Sequence, residues 1–82
     1  MDYDLDRAGD LALALMWLTL HDGARVWKGY DWDVMHHLHE RGLITDPRGK
    51  AKSVVLTEAG LARSRALFEA YLTVRDSDGG SI

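Results

Sequence analysis

The residues from Leu38 to Gly60 constrain the fold more than any other part of this chain of 82 residues. Their order predicts a helix end at Gly42, a strand over Leu43-Ile44-Thr45, a turn, a strand over Lys52 to Leu56 and a helix capped by Thr57. Glycine is the usual residue where a helix ends in the left-handed conformation, and threonine is a preferred N-cap. The remaining elements must therefore pack around a β-hairpin that is flanked by two helices.

The turn between the two predicted strands is Asp46-Pro47-Arg48-Gly49. Proline fixes φ in such a turn, and glycine permits a positive φ. Arg48, Lys50 and Lys52 form the one local concentration of positive charge in the sequence. Two interpretations are open, namely phosphate contacts with duplex DNA and a solvated hairpin tip. A symmetric dimer would favour the first, because two tips could reach successive grooves.

The first helix is predicted from about Asp6 to His21, with Asp22-Gly23 as its stop. Aspartates near its start interact favourably with the helix dipole. The run from Leu11 to Leu20 has Thr19 as its one polar member. At about 100° per residue, these apolar side chains cover the whole circumference of the helix.

So small a chain has few other elements to cover such a helix. Either one apolar strip is simply exposed, or the helix also forms a subunit interface. We favour a homodimer, since large exposed apolar patches usually mark an interface. The predicted interface residues are Leu11, Leu13, Leu15, Trp17 and Leu18.

A short extended segment is predicted over Arg25-Val26-Trp27-Lys28. The second helix is predicted over about Trp32 to Arg41, with Asp31 as its N-cap. Its predicted core residues are Trp32, Met35 and Leu38. Its predicted exposed residues are Asp33, His36, His37 and Glu40. Two exposed carboxylates would repel phosphate, so this helix is not expected to read DNA.

The third helix is predicted from Thr57 to about Val74. Its predicted apolar face consists of Leu61, Leu67, Phe68, Tyr71 and Leu72. Residues 75–82 are polar and rich in glycine and serine, which predicts a flexible tail after a single domain over residues 1–74. The elements together predict an α+β fold, a small winged-helix-like domain of helix, short extended segment, helix, β-hairpin wing and helix.

Two motifs, Gly42-Leu43-Ile44 and Leu56-Thr57-Glu58-Ala59-Gly60, resemble the wing region of MarR- and PadR-type transcriptional regulators. The resemblance implies a winged-helix fold and a role in transcription. In those regulators two helices lie between the first helix and the strand that begins with glycine, whereas the stretch from His21 to Leu43 has room for one here. The positioning helix is therefore expected to be missing or reduced to a turn.

Three further segments make the chain similar, over nearly its full length, to a small bacterial family of unknown function. These segments are Leu18 to Gly23, Trp27 to Trp32 and Asp46 to Ser53. This resemblance implies no activity.

Composition excludes several classes of protein. The sequence has no cysteine, so disulfides and thiolate metal ligands are absent. It has no apolar run long enough for a membrane span and no basic leader, so a cytoplasmic protein without membrane contact is expected. The formal net charge of −3 gives no general attraction to nucleic acid, and any binding must come from a local patch.

No catalytic constellation is evident, so neither an enzymatic activity nor a cofactor is expected. His36 and His39 lie at i and i+3 but on different sides of the predicted helix, which favours boundary residues over metal ligands. Trp17, Trp27 and Trp32 fit a core better than a ligand pocket. The leading hypothesis is a DNA-associated or transcription-regulatory binding module. The alternative is a protein-interaction or dimerisation module on the same frame that does not bind DNA.

Overall fold

Five elements follow one another in the predicted order, and the strand predicted over residues 43–45 is not among them. A computed structural model describes residues 2–74, and the predicted tail over 75–82 lies outside the described residues. The elements are α1 (Leu5–Leu18), β1 (Arg25–Trp27), α2 (Trp32–Glu40), β2 (Ser53–Val55) and α3 (Glu58–Tyr71). The fold is thus a small α+β arrangement of three helices and an antiparallel strand pair, which is compatible with the winged-helix expectation.

The core lies between α1, the two strands and the inner faces of α2 and α3. It consists of Ala12, Leu13, Met16, Val26, Val34, Met35, Leu38, Leu43, Ile44, Val54 and Leu56. The buried Ser64 of α3 donates a hydrogen bond of 2.6 Å to the carbonyl oxygen of Leu13, and so fixes α3 against α1. No helix within residues 2–74 is long and apolar enough to cross a lipid bilayer.

Helix α1 ends at Leu18 rather than at the predicted His21. The backbone N–H of Thr19 closes the helix by donating to the carbonyl oxygen of Met16. Beyond it, His21 and Arg25 exchange two backbone hydrogen bonds of 3.0 and 2.9 Å across a tight turn. Asp22-Gly23 supplies the positive φ values of this turn, so it connects to β1 and does not cap the helix.

Strand β2 lies between β1 and the segment 43–45. Val26 pairs with Val54 in the antiparallel register, and the backbone N–H of Leu56 extends the pairing to Ala24. The predicted hairpin partner over residues 43–45 is reduced to a single bridge between Ile44 and Leu56. The reason is local, because the hydroxyl of Thr45 accepts the N–H of Val55 at 2.9 Å in place of a backbone carbonyl.

Helix α2 follows β1 directly, so the described chain holds one helix between α1 and the segment 43–45, as predicted. Asp31 is confirmed as its N-cap and accepts from the N–H groups of Asp33 and Val34. The prediction that Trp32 is a core residue was wrong, because this side chain is 52% exposed in the first turn and Val34 is buried instead.

Helix α3 begins after the confirmed N-cap Thr57 and ends at Tyr71, before the predicted Val74. Leu61 and Leu67 pack against the core as predicted. Tyr71 and Leu72 were predicted on the same apolar face, but both are exposed because they lie at the end of the helix, beyond the core.

Candidate nucleic-acid interface

Residues 46–52 connect the segment 43–45 to β2, and we call them the basic loop. Its first turn is closed by Asp46, whose carboxylate accepts the backbone N–H of Arg48 at 2.9 Å. The guanidinium of Arg48 also donates to this carboxylate, at 2.6 Å from Nη2. These hydrogen bonds hold the pKa of Asp46 well below its usual range and raise the pKa of Arg48. Much of the charge of Arg48 is therefore balanced inside the loop.

The base of the loop is tied to β1 by Lys28, a residue that the sequence reasoning did not single out. Its Nζ donates to the carbonyl oxygens of Pro47 at 2.7 Å and Gly49 at 3.3 Å. The ring of Pro47 is fully buried, and Gly49 has a φ of 118°. The loop is thus anchored from both sides. The backbone N–H of Lys28 also donates to the carbonyl oxygen of Lys52. This contact depends on the β1–β2 register, so the spacing of residues in the sequence does not predict the role of Lys28.

Lys50 and Lys52 are the loop cations that remain available to a partner. Both side chains are exposed, and neither forms an ion pair with a described carboxylate. An anionic ligand could approach them without first breaking a salt bridge. Of the three cations predicted to contact phosphate, Arg48 is thus the one that is paired with a carboxylate.

The distribution of charge over the fold is uneven. We call residues 21–28 and 43–56 the sheet–loop region. It holds five lysines or arginines and two carboxylates, a formal charge of +3 with neutral histidines. The rest of the described chain holds four lysines or arginines and nine carboxylates, a formal charge of −5. The positive region thus coincides with the strands and the basic loop.

The exposed side of α2 belongs to the negative part. Asp33 and Glu40 are both exposed, as predicted. His36 lies 3.5 Å from the Glu40 carboxylate, while His39 contacts the carbonyl oxygen of Ile44 at 3.1 Å. Residues 2–74 contain no group of three or more side chains that could hold a metal ion.

A network that the sequence reasoning missed joins the three helices. The carboxylate of Asp10 accepts from Nε and Nη2 of Arg63 at 3.0 and 2.9 Å, and Nη1 of Arg41 lies 3.5 Å away. The aspartates near the start of α1 were explained by the helix dipole, and Asp4 also caps the helix by accepting the N–H of Arg7. Asp10 lies more than one turn further along, and this spacing was the available signal for a different role.

An open cleft beside α1 is lined by Asp4, Asp6, Arg7, Asp10, Leu11 and Tyr71. Its carboxylates are already engaged. Asp6, for example, accepts from Nε2 of His37 at 2.7 Å. We therefore do not assign a ligand to this cleft.

The predicted interface on α1 is divided between the surface and the core. Leu11, Leu15 and Leu18 are 48%, 44% and 61% exposed and follow one another at spacings of four and three residues along one side of the helix. Leu13 is fully buried, because two residues along a helix correspond to about 200° and turn it away from this stripe. Trp17 is half-buried. The accessible part of the predicted set is thus the three-leucine stripe.

The tryptophans do not form a common core. Trp27 is 56% exposed, and Trp32 is also exposed, contrary to the sequence-based interpretation. The ring of Trp27 stacks on that of His21, with centroids 4.8 Å apart.

Similarity to known sequences supports an assignment to a family but not to an activity. Residues 4–74 match a domain of unknown function, DUF6429. The chain is 53% identical over 73 residues to the uncharacterized protein y4hR of Sinorhizobium fredii (strain NBRC 101917 / NGR234). The aligned residues make up 89% of this chain and 99% of that protein. No solved structure matches, and the likeness to MarR and PadR regulators stays a prediction. The match over residues 4–74 and the likeness to y4hR place this chain in the DUF6429 family.

Proposed function

We propose that this domain is a nucleic-acid-binding module with a DNA-associated or transcription-regulatory role. The observation that carries the proposal is the charge of +3 on the sheet–loop region, in a chain whose formal net charge is −3. Local positive charge supplies most of the affinity of proteins for a phosphate backbone, whatever the net charge of the whole molecule. Such a role would place the protein in the cytoplasm.

The proposed contact surface is the basic loop and not α2. Lys50 and Lys52 would contact phosphate, while Asp33 and Glu40 on α2 would face away from it. Contacts of this kind position a protein on nucleic acid and carry little sequence information. We therefore expect weak, salt-dependent binding with little sequence preference.

The test is the affinity for generic duplex DNA at about 50 and 150 mM salt. The variant K50A/K52A removes two loop cations, and R7A/R65A removes two from the negative part of the molecule. Both variants have the same formal net charge, so a general charge effect would weaken them equally. We expect K50A/K52A to bind about 10-fold more weakly, with a shallower salt dependence by about one unit per lost contact, and R7A/R65A to bind nearly as the wild type.

Two results would contradict the proposal. One is the absence of binding by the wild type at about 50 mM salt, where phosphate contacts are strong. The other is an equal loss in both variants, since this would leave no role for the basic loop. Arg65 forms an exposed pair with Glu69 on α3, and its removal should leave the fold intact.

A second candidate function is dimerisation or protein interaction through α1. The observation in its favour is the exposed stripe of Leu11, Leu15 and Leu18. We propose that a second copy covers it in a symmetric pair, so that each leucine contributes twice to the interface. Sedimentation at micromolar concentration tests this, and a monomer of 9.2 kDa throughout would reject it. Both candidates describe a binding module and not an enzyme.

A further inference from the structure

The outward face of the β1–β2 pair carries an exposed aromatic side chain. Residues alternate along both strands, so that Val26 and Val54 point into the core while their neighbours point outward. Trp27 lies on the outward face directly opposite Ser53 in the register. Because the serine side chain is small, it leaves the indole uncovered, and Trp27 is 56% exposed.

The indole of Trp27 is held in place from one side. The imidazole of His21 stacks on it at 28° between the ring planes. His21 is itself fixed by its backbone pairing with Arg25, and its Nδ1 lies 3.2 Å from the carbonyl oxygen of Thr19. An aromatic ring that is ordered before binding loses little conformational freedom when a ligand stacks on it.

Cations precede and follow Trp27 along the strand pair. Arg25 lies on the same outward face of β1, at 3.9 Å from the exposed carboxylate of Asp22. Lys28 comes one residue after Trp27 and Lys52 one residue before Ser53, just beyond the ends of the two strands, and the backbone N–H of Lys28 donates to the carbonyl oxygen of Lys52 at 2.9 Å. The basic loop continues from Lys52 to Lys50. An exposed tryptophan next to a positively charged loop is the combination that binds single-stranded nucleic acid, in which bases stack on aromatic rings while the backbone follows the charge.

We infer that Trp27 is a stacking platform for an unpaired base of a single-stranded nucleic acid whose phosphates lie along Arg25, Lys52 and Lys50. This inference rests on the proposed function and makes it more specific. In a duplex the faces of each base are covered by its neighbours, so the platform selects unpaired strands. Stacking tolerates any base, because every base has a π-face.

The test compares the affinities of fluorescently labelled oligomers by anisotropy, at constant low salt. The probes are an oligothymidylate, an abasic deoxyribose-phosphate oligomer of the same length, the corresponding duplex, and an oligouridylate that distinguishes RNA from DNA. The protein variants are W27L, the conservative W27F, and W32L as a matched control, since Trp32 is equally exposed at 52% but lies on α2 beside Asp31 and Asp33.

The wild type is expected to bind oligothymidylate about 10-fold more tightly than the abasic oligomer. W27L should lose this advantage while keeping its affinity for the abasic oligomer and for the duplex. W27F should retain most of the advantage for oligothymidylate, and W32L should bind all probes as the wild type does. The inference is overturned if W27L binds oligothymidylate as tightly as the wild type does. If the duplex binds and K50A/K52A weakens it but thymidylate has no advantage, the stacking platform is wrong and the phosphate-binding loop stands. If no probe binds, both are wrong.

Discussion

The junction between the segment 43–45 and α3 depends on two small side chains, Thr57 and Gly60. The hydroxyl of Thr57 donates to the carbonyl oxygen of Gly42 at 2.7 Å and accepts the N–H of Gly60 at 3.0 Å. A Cβ atom on Gly60 would lie 1.9 Å from the carbonyl oxygen of Leu43. That oxygen already accepts the backbone N–H of Thr57 at 3.0 Å, so it cannot move away without losing this hydrogen bond. The threonine and glycine of the Leu56 to Gly60 motif are thus explained by one close approach of two backbones.

The substitution G60A should therefore be strongly destabilising. The clash involves backbone atoms and not a flexible side chain, so α3 must shift, at a cost of about 3 kcal/mol in the free energy of unfolding. Urea denaturation followed by circular dichroism measures this. The matched control is G29A, where a Cβ would meet nothing within 4 Å and should change stability by less than about 1 kcal/mol. Similar midpoints for the two variants would show that the backbone contact is not required.

Residues whose role is set by their neighbours in sequence could be predicted. Asp31 and Thr57 were identified as N-caps, and Gly42 and Gly49 as positions of positive φ, because each of these requirements is local. The exposure of Trp27 depends on the register that places it opposite Ser53, which no local pattern reveals.

At the scale of elements, the start of α1 is joined to α2 by the contact between Asp6 and His37, at 2.7 Å. The hydrogen bond from His37 lowers the pKa of Asp6 below its ordinary value of 3.8, and the nearby charges of Arg41 and Arg63 act in the same direction. An aspartate with a lowered pKa in the folded state stabilises the fold at pH values above its unfolded pKa. This contribution is lost as the pH falls through the folded pKa.

We therefore expect the Tm of the wild type to fall more steeply than that of D6N on acidification below about pH 4. At neutral pH, D6N should be less stable than the wild type, and the two curves should converge in acid. Thermal unfolding by circular dichroism across this range measures the difference. The control D2N removes an exposed carboxylate ahead of the same helix that contacts no described histidine, and should follow the wild type. Parallel curves for D6N and the wild type would contradict the contact.

The order of the elements and the presence of three helices were predictable, because the helices have their own periodicity and caps, but the strand predicted over residues 43–45 was reduced to a single bridge. The precise edges of the elements were not predictable, for reasons that lie in single contacts. The hydroxyl of Thr45 accepts a hydrogen bond from the N–H of Val55, and this contact interrupts the expected hairpin. The apolar run of α1 from Leu11 to Leu18 gives no indication of which side is buried, and this was decided by the packing of the other elements against Leu13 and Met16.

At the scale of the whole molecule, the net charge does not reveal that positive and negative charges lie in different regions of the chain. A formal charge of −3 results from a sheet–loop region at +3, a negative remainder and the net negative C-terminal residues. In a small protein such separation steers a polyanion to one side and repels it from the other. A single basic loop offers few phosphate contacts, however, and two loops held in one assembly would double them.

Dimerisation through α1 should therefore be coupled to nucleic-acid binding. L15Q places a polar group at the centre of the exposed stripe, twice in a symmetric pair, and should raise the dissociation constant of the dimer about 10-fold or more. Where the wild type is dimeric and the variant is not, the slope of log K against log salt for duplex DNA should fall by about half, because each bound unit then releases half as many counterions.

W32Q is the control, since it changes an equally exposed apolar residue on α2. Sedimentation and anisotropy on the same samples measure both quantities. A variant that becomes monomeric with an unchanged salt slope would show that the two surfaces act independently, and a wild type that is already monomeric would remove the coupling altogether.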